Sequence, residues 1–369
     1  MRVTANMSAD LSVYNIQQGR GRIDKLVEKL TSNQSVNRPS DDPVASGILL
    51  DISDKTRAYS QYSSNITKAQ SWLEFTNNGL NGISDILNSV RQMTTGAPSL
   101  SQINDPTERQ MAHDQLVELK KQMIEMANMK YGDQYIFGGG NNLVPPFSEK
   151  TGALTSGLPD VTVADVTGLS TGMQVSGTGI PTGTVISAIT PGPPSSITLS
   201  NAATASATAS KLNFYAGDGT QREVEITTNT RQTISTTGDR LLLGSSADPS
   251  PPNYGSSNVL QTMDELIAAV GDANTPSNTA AVLAASKALE PAAKQIFSAI
   301  TTNIARIHRV DNMTRLNDLN KITLTNISDS IQNVDLVKYG MQLNLEKTAF
   351  EASLSATAKV SQMSLLNYL

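Results

Sequence analysis

Two histidines, His113 and His308, are the only imidazoles in a chain of 369 residues that has no cysteine. Each lies in a helix-patterned segment beside charged residues and away from other ligands at metal spacing, so a solvated or structural imidazole is favoured over a metal centre. The carboxylates of Asp41, Asp42, Asp51 and Asp54 are close in sequence and have the hard oxygens a divalent cation prefers. The simpler reading is that Asp42 caps a helix whose first residue is Pro43. Gly138-Gly139-Gly140 lacks the lysine and the spacing of a phosphate loop and reads as a turn. Arg20, Arg22 and Lys25 make a basic cluster too small for a nucleic-acid footprint. With no convergent nucleophile, base or metal set, no catalytic site and no cofactor are expected.

Composition narrows the field further. Aromatic residues make up 4% of the chain and hydrophobic residues 38%, so a core must be built from Leu, Ile, Val, Met and Ala, which suits long packed helices. A net charge of -5 gives no electrostatic reason to bind nucleic acid or an anionic membrane. The first ten residues lack the apolar core of a secretory signal, and no run approaches the length of a spanning helix, so membrane insertion is not expected.

The elements follow from the spacing. Val3, Met7, Leu11 and Tyr14 recur at helical intervals, and after Gly19-Arg20-Gly21 the stripe resumes at Ile23, Leu26 and Leu30. A polar stretch including Asn37, Ser40 and Asp41 leads to the Asp42-Pro43 start signal, and the proline-free segment to about Met93 reads as one long helix. Asp105 can cap a third helix running to about Lys130. From Thr151 to Ser210 the only charged residues are Asp160 and Asp165, and short Thr- and Val-rich runs alternate with Gly and Pro, the pattern of a small β domain. Strand-like runs continue at Glu223–Thr227 and Leu241–Gly244. Helical spacing returns at Val259. Pro291 is expected to start or kink an element, and Leu324, Ile327, Ile331, Val334, Met341 and Leu345 follow a coiled-coil-like seam. The fold class is therefore mainly α with an inserted β region, the long terminal helices pairing as a rod and the β-rich middle looped out.

Several motifs carry a resemblance. Met1-Arg2-Val3-Thr4, the Asn37 to Pro43 loop, Tyr131-Gly132-Asp133-Gln134-Tyr135-Ile136-Phe137-Gly138-Gly139, Tyr215-Ala216-Gly217-Asp218-Gly219, Glu351 to Ala356 and the closing Ser364-Leu365-Leu366-Asn367-Tyr368-Leu369 are similar to segments of the flagellin superfamily. The last of these favours its hook–filament junction branch over filament flagellin. Gln34 and Ser35 depart from the pattern, standing where the family has a small residue and a base.

The resemblance implies three layers. Residues 1–31 with 340–369 would form an inner tube, 32–137 with 257–339 a helical rod, and 138–256 an outer β domain with an extra module at about 158–211. It also implies a secreted, non-enzymatic subunit exported by the flagellar type III apparatus. Its expected partners are further copies of itself, an adjacent hook-associated protein, flagellin and an export chaperone. Expected assembly contacts are Val3, Met7, Leu11, Tyr14, Met341, Leu345, Leu354, Leu365 and Leu366, with Asn37, Ser40, Asp41, Asp42 and Pro43 forming a structural loop. Filament flagellin, or a stalk displaying an adhesive β module, are the alternatives.

Overall fold

The structure is a computed structural model and describes residues 5–95, 100, 103, 105–244, 256–272, 275 and 277–366. Its helices are α1 (Ala5–Ser32), α2 (Pro43–Thr95), α3 (Pro106–Ala127), α4 (Gly238–Leu242), α5 (Val259–Val270), α6 (Thr279–Gln332) and α7 (Leu336–Leu366). All the described strands lie between α3 and α4, giving the mainly helical chain with a β-rich middle that the spacing predicts. The chain divides into two compact units, one made of residues 1–61 with 316–369 and the other of 62–315.

The larger unit contains two cores. The first is helical: on α2, Ile66, Ala69, Leu73, Thr76, Leu80, Ile83, Leu87 and Val90 are all buried, and their alternating steps of three and four put them on one face. Thr76 meets the cost of its buried hydroxyl by donating to the Trp72 carbonyl at 2.8 Å. Leu116 and Met123 of α3, Leu266 of α5 and Leu289, Ile296 and Val310 of α6 complete this core. Ile136 and Phe137, both fully buried, enter it from the loop after β1 (Lys130–Tyr131) and β2 (Gln134–Tyr135). Gly79 makes room for that ring, since a Cβ there would stand 3.1 Å from Phe137.

The second core is aliphatic apart from Phe214 and fills a six-stranded antiparallel sheet. Its strands are β3 (Phe147–Leu154), β4 (Asp160–Val163), β5 (Gln174–Ser176), β6 (Ile186–Thr190), β7 (Ser196–Leu199) and β8 (Ala207–Tyr215), in the order β5-β8-β3-β4-β7-β6. The sheet curls until its two edges meet. Ile186 donates to the Met173 carbonyl at 2.9 Å and Val175 to the Thr184 carbonyl at 2.9 Å, so β5 and β6 satisfy each other and leave no long open edge. β9 (Glu223–Thr227) and β10 (Thr230–Thr233) form a separate hairpin.

Four expectations change in detail. The third helix ends at Ala127 because the Asn128 side chain turns away to pair with the Phe147 backbone, donating at 2.8 Å and accepting at 2.9 Å. Leu241 and Leu242 end the short helix α4, followed by Leu243. All three are buried, and so short an apolar run has no period to separate helix from strand. Pro291 lies inside α6, which begins at Thr279. The seam from Leu324 to Leu345 is broken between Gln332 and Leu336, where Asp335 Oδ1 accepts from the amides of Val337 at 3.1 Å and Lys338 at 3.0 Å and starts α7.

Candidate assembly surface

The smaller unit is where most of the expected site residues fall. Within it α1 and α7 pack side by side and antiparallel. Among the described residues, half-buried or buried positions on α1 include Ser12, Ile16, Gly19, Ile23, Leu26 and Leu30, and on α7 Tyr339, Leu343, Glu346, Phe350, Ser353 and Thr357, with Lys29 and Gly340 half-buried beside them. Both sets follow steps of three and four, the mark of a two-helix seam. The register is pinned at Gly19, where a Cβ would come within 3.2 Å of the Phe350 ring, and at Arg22, whose Nε donates to Glu346 at 3.1 Å. Lys29 Nζ lies 5.6 Å from the centre of the Tyr339 ring.

This seam differs from the stripe read in the sequence. It keeps Ile23, Leu26 and Leu30 but takes Ile16 and Gly19 in place of Leu11 and Tyr14. A hydrophobicity count selects the larger side chains, whereas a phenylalanine on the partner helix needs a glycine opposite. That requirement rotates the first half of α1.

The rotation leaves an apolar surface uncovered. Leu11 is 64% exposed, Tyr14 59%, Met341 60%, Leu345 71% and Leu354 43%, and Val13, Val27, Leu336 and Val337 are exposed as well. Val3 lies outside the described residues. Met7, Leu365 and Leu366 fall on α1 and α7, and their side chains are outside those described. So many exposed large apolar side chains on two helices are a surface that a partner would cover. An intramolecular core for Leu11, Tyr14, Met341, Leu345 and Leu354 does not fit these exposures.

The loop between α1 and α2 is tied down at close range. Asp42 Oδ1 accepts from the amides of Val44 at 3.1 Å and Ala45 at 3.0 Å, and Pro43 is the first residue of α2. Asp41 Oδ2 accepts from the Arg38 amide at 3.0 Å, Ser40 is exposed, and the Asn37 Nδ2 is buried without a partner. Asp51 pairs with Lys55 at 2.8 Å and Asp54 with Arg57, so these carboxylates are engaged one by one. Among the described residues no group of three or more His, Asp or Glu is placed to hold a metal ion. Gln34 and Ser35, odd against the family pattern, have a role here. Gln34 pairs with Asn333, and Ser35 donates its amide to Gln332 at 2.7 Å and its hydroxyl to Ile331 at 2.6 Å. The loops that end α1 and start α7 are thereby joined.

Residues 3–142 match the family described as the bacterial flagellin N-terminal helical region. Over this N-terminal part the chain is similar to bacterial flagellin. Two curated relatives, the flagellar hook-associated protein 3 of Salmonella typhimurium and that of Escherichia coli, are each 25% identical to it, over 163 and 162 residues. Those alignments cover 44% of this chain and 51% and 50% of the relatives, so the chain spans about half the length of the curated relatives it matches. A solved structure described as a flagellar hook-associated protein from Vibrio parahaemolyticus superposes with a TM-score of 0.52 at 19% identity. It covers 79% of this chain and 100% of that one, a likeness of fold.

Two grooves mark the uncovered surface of the smaller unit. One, of about 440 Å³, runs between α1 and α7 and combines Leu26, Tyr339 and Leu345 with the cations Arg22, Lys25 and Lys29. The other, of about 500 Å³, lies between the start of α2 and the end of α6, with Leu49, Leu50 and Ile52 on its wall. The helical pattern of the sequence does not disclose this second groove, whose wall lies on the long helix predicted after Pro43. Its signal was Val44, Ile48 and Leu50, too many exposed apolar residues for one buried stripe.

The Gly138-Gly139-Gly140 turn has an internal occupant. Asp218 Oδ1 accepts from the Gly140 amide at 2.5 Å and from the Thr220 amide at 3.1 Å, and Gly139 has φ of +67°. The glycines let two backbone segments meet, and the carboxylate fills the concavity they form.

Proposed function

We propose that this chain is a structural, non-enzymatic subunit of the bacterial flagellum, placed at the junction between hook and filament. The observation that carries the reading is the α1/α7 pair, whose seam is narrow and half polar while its larger leucines face outward. Such a pair cannot bury its apolar surface alone and does so by repeating contacts with further copies, as in a helical tube. The named relatives support the junction over the filament. Partners on this reading are other copies of the chain, an adjacent hook-associated protein and flagellin, with an export chaperone before assembly and a final location outside the cell. The three layers follow the same reading: an inner tube from 1–31 and 340–369, a rod from 32–137 and 257–339, and an outer part from 138–256.

The adhesive-stalk alternative loses ground on composition. Residues 155–211 contain no Phe, Tyr, Trp or His on which a sugar ring could stack. Their two carboxylates are engaged, Asp160 by the Thr198 hydroxyl at 2.7 Å and Asp165 by Lys150 at 2.6 Å. Deleting residues 158–211 is expected to leave surface attachment of cells unchanged. Cells lacking the whole chain are expected to build hooks and to lose flagellin into the medium. Filaments of normal number in those cells would refute the junction reading.

A further inference from the structure

A buried ionic cluster lies where the curled sheet meets α3 and α5, all within the larger unit. Lys120 of α3, 4% exposed, donates to Glu149 of β3 and to Asp264 Oδ1 of α5, the latter at 2.6 Å. Asn213 of β8 donates its Nδ2 to Asp264 Oδ2 at 2.8 Å, and Lys211 reaches Glu149 Oε1 at 3.0 Å. Among the described ion pairs, that of Lys120 with Asp264 alone has both partners buried. Two ions taken out of water in this way gain little net stability from each other.

An amine, a carboxyl and a second carboxylate in contact are also the reactants of an amide condensation. A lysine nitrogen hydrogen-bonded to a carboxyl oxygen stands roughly 3–3.5 Å from the carboxyl carbon, the range of a near-attack pair. Holding two reactants there is equivalent to an effective concentration of about 10⁵ M or more. The product replaces two buried charges with one neutral group. It also braces covalently a chain that has no cysteine for a disulfide.

We propose that Lys120 and Asp264 join in an intramolecular amide bond, with Glu149 as the base that moves protons. The charged pair of this structure is the reactant. The ammonium passes one proton to Asp264 Oδ1 along their hydrogen bond. The amine lone pair then attacks Cγ, and the carbonyl electrons move onto Oδ2, where the Asn213 Nδ2 hydrogen bond stabilises the developing charge. Glu149 takes a second proton from Nζ and gives it to Oδ1, which contacts the same nitrogen. Oδ1 leaves as water, the Cγ–Oδ1 bond breaks and Oδ2 becomes the amide carbonyl. Nζ keeps one hydrogen, and Glu149 is returned ionised.

The electrostatics assign the two acids their separate parts. Burial pushes the Asp264 carboxyl above its ordinary value, against the opposing pull of Lys120, which favours the protonated form that an amine attacks. Glu149, also penalised by burial, is held below its ordinary value by Lys120 and Lys211, which keeps it ionised as a base. A cavity of about 370 Å³ opens beside the cluster, walled in part by Val117, Ile124 and Ile267, and receives the released water. All the described strands lie between Lys120 and Asp264 in sequence, so the bond closes the β-rich middle into a covalent ring.

The test is mass spectrometry of the full-length chain, purified, kept folded at neutral pH and then denatured, followed by tryptic mapping. The chain is expected to weigh less than its sequence by one water, and the peptides carrying Lys120 and Asp264 should appear as one branched species. Lys120→Arg keeps the cation without the amine and should show the full mass, with circular dichroism confirming its fold. Glu149→Gln should fold and form the bond on the order of 100-fold more slowly or worse. A wild-type chain of full mass, with Lys120 and Asp264 in separate unmodified peptides, would overturn the proposal. A branch through Glu149, or a Glu149→Gln chain that links at the wild-type rate, would overturn the roles assigned.

Discussion

A chain carrying both Leu345→Asp and Leu354→Asp is expected to fold, to be exported and to fail to enter the flagellum. Leu345 is 71% exposed and Leu354 43%, so the isolated fold loses little, about 0.5 kcal/mol or less at each position. In an assembly the same side chains would be buried. Each leucine then forfeits roughly 1.5–3 kcal/mol of apolar burial, and each new carboxylate adds its own desolvation cost. A loss of about 3 kcal/mol is already about 100-fold in an association constant, and a tube repeats it at every subunit. The check is the amount of the variant in purified flagella beside its circular dichroism and thermal melt. Normal incorporation would remove these residues from the contact surface.

The second large effect is expected inside the fold, at Lys120→Met. This ammonium lies between Glu149 and Asp264, and Asp264 is 8% exposed, so removing the cation leaves a buried carboxylate without its counter-charge. Breaking one partner of a buried pair costs on the order of 3–5 kcal/mol, far more than the intact cluster contributes. Urea unfolding at neutral pH should show the midpoint falling accordingly. Adding Asp264→Leu should recover part of the loss, because the double change removes the more buried carboxylate together with its counter-charge, while Glu149 keeps Lys211 at 3.0 Å. An unchanged midpoint in Lys120→Met would mean that the cluster is solvated in solution.

Much of this fold is legible in the sequence. The strict threes and fours from Ile66 to Val90, the Asp42-Pro43 and Asp105-Pro106 starts and the Gly-punctuated Thr and Val runs each obey a local rule, and each is found where the rule puts it. The parts that escaped depend on distant partners. Gly19 is a breaker until Phe350 faces it, and Gln34 looks anomalous until Asn333 pairs with it. Lys120 reads as one more surface lysine of an amphipathic helix, since nothing nearby shows that β3 and α5 bring carboxylates to it. The assembly residues were legible as apolar and helical. Which of them face outward was set by the ring of Phe350, some 330 residues from Gly19.

The most direct measurement of the central claim is the position of the chain in isolated hook–basal bodies and intact flagella, by immunogold labelling of an epitope in the exposed Thr167 to Thr171 loop. A single narrow band of gold at the distal end of the hook, at the base of the filament, is the predicted result. Label along the whole filament would make the chain a filament subunit, and label on neither structure would contradict the account.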